Sequence, residues 1–266
     1  MLLAVDIGNT HVKLGVYDGE DLRHSWRLNT RRDATADETA LLLQGLLGAR
    51  ALPPARLDSA VLASVVPSLT PVWQDLCRRY LDTDPLVVSA GTASAAGLTF
   101  DVDRPSEVGA DRIVNAVAAL HRFGAPVVVV DLGTATKLEA VGPGGVYLGG
   151  PIAPGIVTAA DALVERAARL FRVELAAPAR TIGRNTVEAM QAGIVYGSAG
   201  LVDALIDRVR AELGGLPPVV ATGGLAALVA PHSRTIDADK VDPLLTLEGL
   251  RRIAACALPR HNLPAG

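Results

Sequence analysis

Ala4-Val5-Asp6-Ile7-Gly8-Asn9 and Val129-Val130-Asp131-Leu132-Gly133-Thr134 are two versions of one pattern. Each is an apolar run ending in Asp-x-Gly, then a small polar residue, a second β-rich run and a turn. Glycine lets a hairpin backbone approach a phosphate, to which amides and the side chains of Asn9, Thr10, Thr134 and Thr136 can donate hydrogen bonds. The carboxylate at each strand end can hold a cation that offsets phosphate charge. One such hairpin is an ordinary turn. Two of them, with Thr222-Gly223-Gly224 after a later buried strand, point to a duplicated phosphate-binding unit.

Outward from these anchors, short β-rich runs alternate with helical ones. Leu2–Ile7, His11–Tyr17 and Asp21–Leu28 read as strands, Asp37–Leu47 as a helix capped by Thr35, and Ser59–Val66 as a buried strand. A helix at Thr70–Leu81, a strand at Leu86–Ser89 and a helix at Gly109–Phe123 follow. The pattern then restarts with strands Pro126–Asp131, Thr136–Val141 and Gly145–Leu148 and helices Ile156–Leu170 and Thr186–Leu213. A strand at Val219–Thr222 and helices at Leu225–Ala230 and Leu247–Ala257 end the series. Helices between strands imply an α/β fold, here two tandem domains, 1–123 and 124–266, with a cleft expected between them.

Composition removes several function classes. The 266 residues are 50% hydrophobic and 20% charged with net charge −3, which excludes a disordered chain. Ala125–Leu132 and Leu216–Ala230 are too short or too broken by Pro and Gly to span a membrane. Asp6 interrupts the opening apolar run, so no secretory signal is expected. A pI near 6.0 and few aromatic residues argue against a nucleic-acid partner. Cys77 and Cys256 stand alone, which suits a reducing cytoplasm. The histidines lack metal-ligand spacing. An EF-hand-like run from Asp237 fails because Asp242 stands where that loop needs glycine.

The paired hairpins resemble the actin, sugar-kinase and acetate-kinase superfamily, whose two actin-like (ribonuclease H-like) domains clamp ATP. Further motifs narrow the resemblance: Ala63-Ser64-Val65-Val66-Pro67, Pro105-Ser106-Glu107-Val108-Gly109-Ala110-Asp111-Arg112, Asp131-Leu132-Gly133-Thr134-Ala135-Thr136, Gly149 to Gly155, and Leu245-Thr246-Leu247-Glu248-Gly249-Leu250. In this order they are similar to type III pantothenate kinase over essentially the whole chain. The resemblance implies ATP-dependent phosphorylation of the primary hydroxyl of pantothenate, by a homodimer that uses Mg2+ and a monovalent cation, K+ or NH4+. It implies that Asp6, Ile7, Gly8, Asn9, Thr10, His11, Val12 and Lys13 cradle ATP, with Asp6 helping to hold magnesium. Gly133, Thr134, Gly223 and Gly224 would also contact ATP. Asp131 would bind the monovalent cation. Gly109, Ala110, Asp111 and Arg112 would contact pantothenate, Asp111 would accept the hydroxyl proton, and Thr186 would lie at the substrate site across the dimer.

The chemistry of these residues agrees with that implication. Phosphoryl transfer depends mainly on positioning and charge neutralisation, so an aspartate opening a helix suffices to orient a hydroxyl. The competing reading is a non-catalytic nucleotide-binding accessory protein of the same fold, which would lose the Asp111 constellation. An actin-like filament protein would leave Gly109 to Arg112 unexplained. Three positions depart from the family pattern. Lys137 and Glu139 replace Thr and Asp after the second hairpin, and Val102 stands where an aromatic residue is usual. Only Lys13, Lys137 and Lys240 are lysines among 25 basic residues, and two of them follow the hairpins. Lys137 is therefore expected to point towards ATP phosphate, with Glu139 keeping the acidic function, against the alternative that it turns outward into solvent.

Overall fold

β1 (Leu2–Ile7) is buried along its whole length, as its unbroken apolar run requires of a strand covered on both faces. The computed structural model describes residues 1–258. β1 pairs antiparallel with β2 (His11–Asp18), which pairs antiparallel with β3 (Asp21–Asn29). β3 alternates between exposed and half-buried positions, as an edge strand with one wet face should. α1 (Ala36–Gly48) starts at a reciprocal cap in which Thr35 and Glu38 satisfy each other's backbone N–H groups. β4 (Ser59–Ser64) returns parallel to β1, and α2 (Thr70–Tyr80) opens with Pro71 in its first turn. β5 (Leu86–Val87) completes the first sheet in the order β3-β2-β1-β4-β5. α3 (Ala90–Ser94), β6 (Thr99–Phe100) and α4 (Ala110–Phe123) follow.

The same plan is then repeated. β7 (Val127–Leu132) pairs antiparallel with β8 (Ala135–Gly142), and β8 with β9 (Val146–Gly149). β10 (Ile152–Pro154) adds to β8, α5 (Ile156–Arg166) and α6 (Thr186–Leu213) follow, and β11 (Val219–Thr222) lies parallel to β7. The order β9-β8-β7-β11 repeats β3-β2-β1-β4, so the duplication seen in two hexapeptides extends to sheet topology. α6 is long and apolar enough to cross a membrane by length and composition. Here it serves as a core helix, with Met190, Ile194, Val202 and Ile206 buried against the second sheet. α7 (Ala226–Val229) and α8 (Leu245–Ala257) end the fold.

The chain divides into two compact units, Met1–Ala118 together with the segment from Thr246, and Ala119–Leu245. The boundary between these units falls within α4, and α8 belongs to the first unit. Packing explains the place of α8. Leu247 reaches Gly15 of β2, Gly249 lies against Val114 of α4, and Arg251 pairs with Glu20 at 3.4 Å. Each unit has its own apolar core, one centred on Leu3, Val5, Leu14, Leu62 and Trp73, the other on Val128, Val130, Leu138, Val202 and Val219.

Candidate active site

The first hairpin closes when the Gly8 N–H donates to the His11 carbonyl at 3.0 Å. A Cβ on Gly8 would sit 2.9 Å from that same oxygen, so the tight turn depends on glycine. Thr30 braces the loop, its hydroxyl donating to the Gly8 carbonyl at 2.6 Å and its N–H to that of Thr10 at 3.0 Å. Arg32 donates to Asn9 Oδ1 at 2.9 Å. At the strand end Asp6 is buried, directly opposite Lys13 on β2, with Lys13 Nζ 3.6 Å from Asp6 Oδ2. Lys13 also donates to Thr246 Oγ1 at 3.4 Å. Burial first, then the positive charges of Arg27 and Lys13, hold the His11 imidazole below its ordinary pKa.

Asp111 shares this unit. It lies in the first turn of α4, where the helix N-terminus favours a carboxylate. Its Oδ1 accepts from the Arg112 N–H at 2.8 Å and folds back over Gly109, where an added Cβ would come within 2.7 Å of it. Gly109 also faces Val65, and the Val65 N–H donates to the Ile7 carbonyl at 3.0 Å. The Gly109–Arg112 turn and the Asp6–Lys13 hairpin therefore meet through one residue beyond β4. Ala63 to Pro67 supplies that link.

The second hairpin closes through the Gly133 N–H and the Ala135 carbonyl at 3.2 Å. Two glycines pack behind it. A Cβ on Gly155 would fall 2.2 Å from the Thr134 carbonyl oxygen, and one on Gly223, at φ +98°, 2.5 Å from the Leu132 carbonyl. Thr158 donates to the Thr134 carbonyl at 2.9 Å. Gly223 thus sits against the hairpin, while Gly224 beside it is exposed. Thr222, Asp131 and Lys137 form one row across β11, β7 and β8. Lys137 Nζ pairs with Asp131 Oδ2 at 2.8 Å, each side chain only 14% exposed, so Lys137 does not turn out into solvent. Glu139 is fully buried and accepts from the Tyr147 hydroxyl at 2.7 Å.

Thr186 is exposed at the first turn of α6, where Asn185 caps the helix by accepting the Glu188 N–H. It lines a groove of about 900 Å³ between α5 and α6, walled by Leu163, Met190, Ile194 and Leu201. Gly193, Gly197 and Gly200 leave open space on α6. Sequence reasoning missed Thr30, Arg32, Gly155 and Thr158 as supports of the two loops. The only cue was that Gly155 closes the Gly149–Gly155 motif.

The two implied ions fare differently. Among the described residues no cluster of three or more His, Cys, Asp or Glu could form an all-protein metal cage. Magnesium does not need one, because it binds through one or two carboxylates and substrate phosphates. Asp6 fits that role, since it is a carboxylate at the end of β1, next to the first hairpin. A monovalent cation at Asp131 does not fit. Lys137 already holds Asp131 Oδ2 at 2.8 Å and supplies the unit of positive charge that the ion would bring.

Paired sheets of repeated topology, each led by an Asp-x-Gly hairpin, define the actin-like fold of sugar kinases. A candidate 2-dehydro-3-deoxygalactonokinase from Sinorhizobium meliloti shares the fold, with a TM-score of 0.60 at 15% identity over 100% of this chain and 98% of its own. The family model of type III pantothenate kinase matches residues 2–208, and the chain belongs to that family. The type III pantothenate kinase of Moorella thermoacetica is 51% identical over 251 residues, 94% of this chain and 97% of its own. That of Roseiflexus sp. strain RS-1 is 49% identical over 253 residues, 95% and 98% of the two chains.

Proposed function

We propose that the protein transfers the γ-phosphoryl group of ATP to the primary hydroxyl of pantothenate, giving 4'-phosphopantothenate and ADP, the first step towards coenzyme A. The observation that carries this reading is Asp111, held over Gly109 in a turn that meets the first phosphate hairpin through Val65 and Ile7. Asp111 accepts the hydroxyl proton as the pantothenate oxygen bonds to phosphorus and the bond to ADP breaks. A positioned carboxylate suffices, because the transfer requires alignment and charge neutralisation more than a strong base.

The hairpin from Asp6 to Lys13 binds ATP phosphates through its amides, with Lys13 supplying charge. Gly133, Thr134, Gly223 and Gly224 contact the nucleotide, and Gly109 to Arg112 contact pantothenate. Asp6 would hold magnesium, which would supply neutralisation of phosphate charge. The protein acts as a homodimer in the cytoplasm, paired through α5 and α6. Exposed Leu163 and Leu201 and the glycine strip of α6 support that pairing, which would bring Thr186 to the partner's substrate. The test is ADP release by purified protein with and without pantothenate. Release that requires pantothenate is expected, and equal release in its absence contradicts the reading.

A further inference from the structure

In both halves of the fold a lysine stands directly opposite the hairpin aspartate, Lys13 facing Asp6 and Lys137 facing Asp131. These are two of only three lysines in the chain. The pairs are not equivalent. Lys13 keeps 3.6 Å from Asp6 Oδ2 and is 29% exposed, free enough to meet an incoming phosphate. Lys137 makes a close contact of 2.8 Å, largely buried, with Ile152 of β10 as its neighbour on the other side.

We infer that the Lys137 ammonium is the built-in cation of the second hairpin, taking the place of a bound monovalent ion and making phosphoryl transfer independent of potassium or ammonium. The inference rests on the kinase reading above. A carboxylate with little access to water needs a counter-charge. An ammonium carried on β8 supplies one unit of charge with no binding equilibrium, and the pair has the same net charge as a carboxylate holding a monovalent ion. For potassium to bind Asp131 it would have to displace this largely buried 2.8 Å contact, which is unfavourable. Lysine suits the place because a compact ammonium fits between β7 and β10, whereas the planar guanidinium of arginine demands a wider, forked site. That accounts for a lysine surviving here in a chain that otherwise uses arginine.

Lys137→Thr opens the place beside Asp131. Thermal unfolding and the pantothenate-dependent rate are compared in potassium chloride and choline chloride at matched ionic strength. The wild type should melt at the same temperature and turn over at the same rate in both salts. The variant should lose about tenfold or more in rate in choline chloride, the scale of removing one fixed charge near a transferring phosphoryl group. Potassium should restore that rate and raise the variant's melting temperature. A wild-type protein whose melting temperature or rate rises specifically in potassium overturns the inference, as does a variant blind to the choice of salt. Melting separates this from the kinase reading. A protein that transfers no phosphate in either salt, yet shows the expected melting pattern, defeats the kinase reading and leaves the lysine's place as the cation intact.

Discussion

Gly249 of α8 lies so close to Val114 of α4 that a methyl group on it would come within 1.9 Å of the Val114 carbonyl oxygen. The obstructing atom is backbone, so no side chain can swing aside. Gly249→Ala must push α8 away from the helix that carries Asp111 in its first turn. Overpacking of this kind costs about 1–3 kcal/mol. Urea denaturation should show a loss of at least that size, with a fall in pantothenate-dependent rate. Gly45→Ala in α1 is the control, because its new methyl meets nothing within 4 Å. There a gain of about 0.5–1 kcal/mol is expected from helix propensity. Equal behaviour of the two variants would contradict the packing described.

Asp111→Asn keeps the shape of the side chain and removes its ability to accept a proton. The rate should fall at least about a hundredfold, the effect of one positioned acid–base group. The melting temperature should stay within a few degrees of wild type, since the amide oxygen can still accept the Arg112 N–H. A variant with half its activity would reduce Asp111 to a structural cap.

Acid stability is expected to depend on Asp203 in α6. Burial opposes its charge, but the Ser233 and Thr235 hydroxyls, at 2.6 and 2.7 Å, and the Arg234 and Thr235 N–H groups hold its pKa below the ordinary 3.8. A folded pKa below the unfolded one gives stability that is present above the unfolded value and lost as pH falls through the folded value. Asp203→Asn should therefore cost about 1–3 kcal/mol at neutral pH. The gap from wild type should narrow below about pH 4. Denaturation at pH 7 and pH 3 checks this, and a gap that widens in acid would contradict it.

The proposed pairing of subunits has its own check. Light scattering should give twice the chain mass of 27.5 kDa. Leu201→Arg, on the α6 face beside the glycine strip, should yield a folded monomer with a pantothenate-dependent rate at least about tenfold lower, as expected when one positioning group is withdrawn. A wild-type monomer that turns over at full rate would remove the dimer from the mechanism.

The sequence exposed most of this fold because its strongest signals are local. The expected helix Thr186–Leu213 and strand Leu2–Ile7 coincide with α6 and β1, and the expected cap at Thr35 is present. Other elements were too short or too irregular to read. β6 has two residues, and β10 is three residues ending in proline after Gly149-Gly150-Pro151, held by its pairing to β8. α3 was missed although Ser89 and Thr92 form a cap of the same kind as Thr35 and Glu38. α5 stops at Arg166 instead of Leu170, because Ala167 turns extended and Leu170 folds back onto the core. The place of α8 was hidden for another reason. It depends on Gly249 meeting Val114, a contact between residues far apart in the chain. The Asp131–Lys137 pair was half visible, since the scarcity of lysine marked position 137 but not the carboxylate it meets.

The most direct measurement is identification of the product. Purified protein given ATP, magnesium and pantothenate should form a phosphate monoester on the primary hydroxyl of pantothenate, seen by phosphorus NMR and mass, in equal amount to ADP. Asp111→Asn should form almost none. ADP released without a pantothenate ester, or an ester formed equally well by Asp111→Asn, would contradict the assignment of substrate and of catalytic residue respectively.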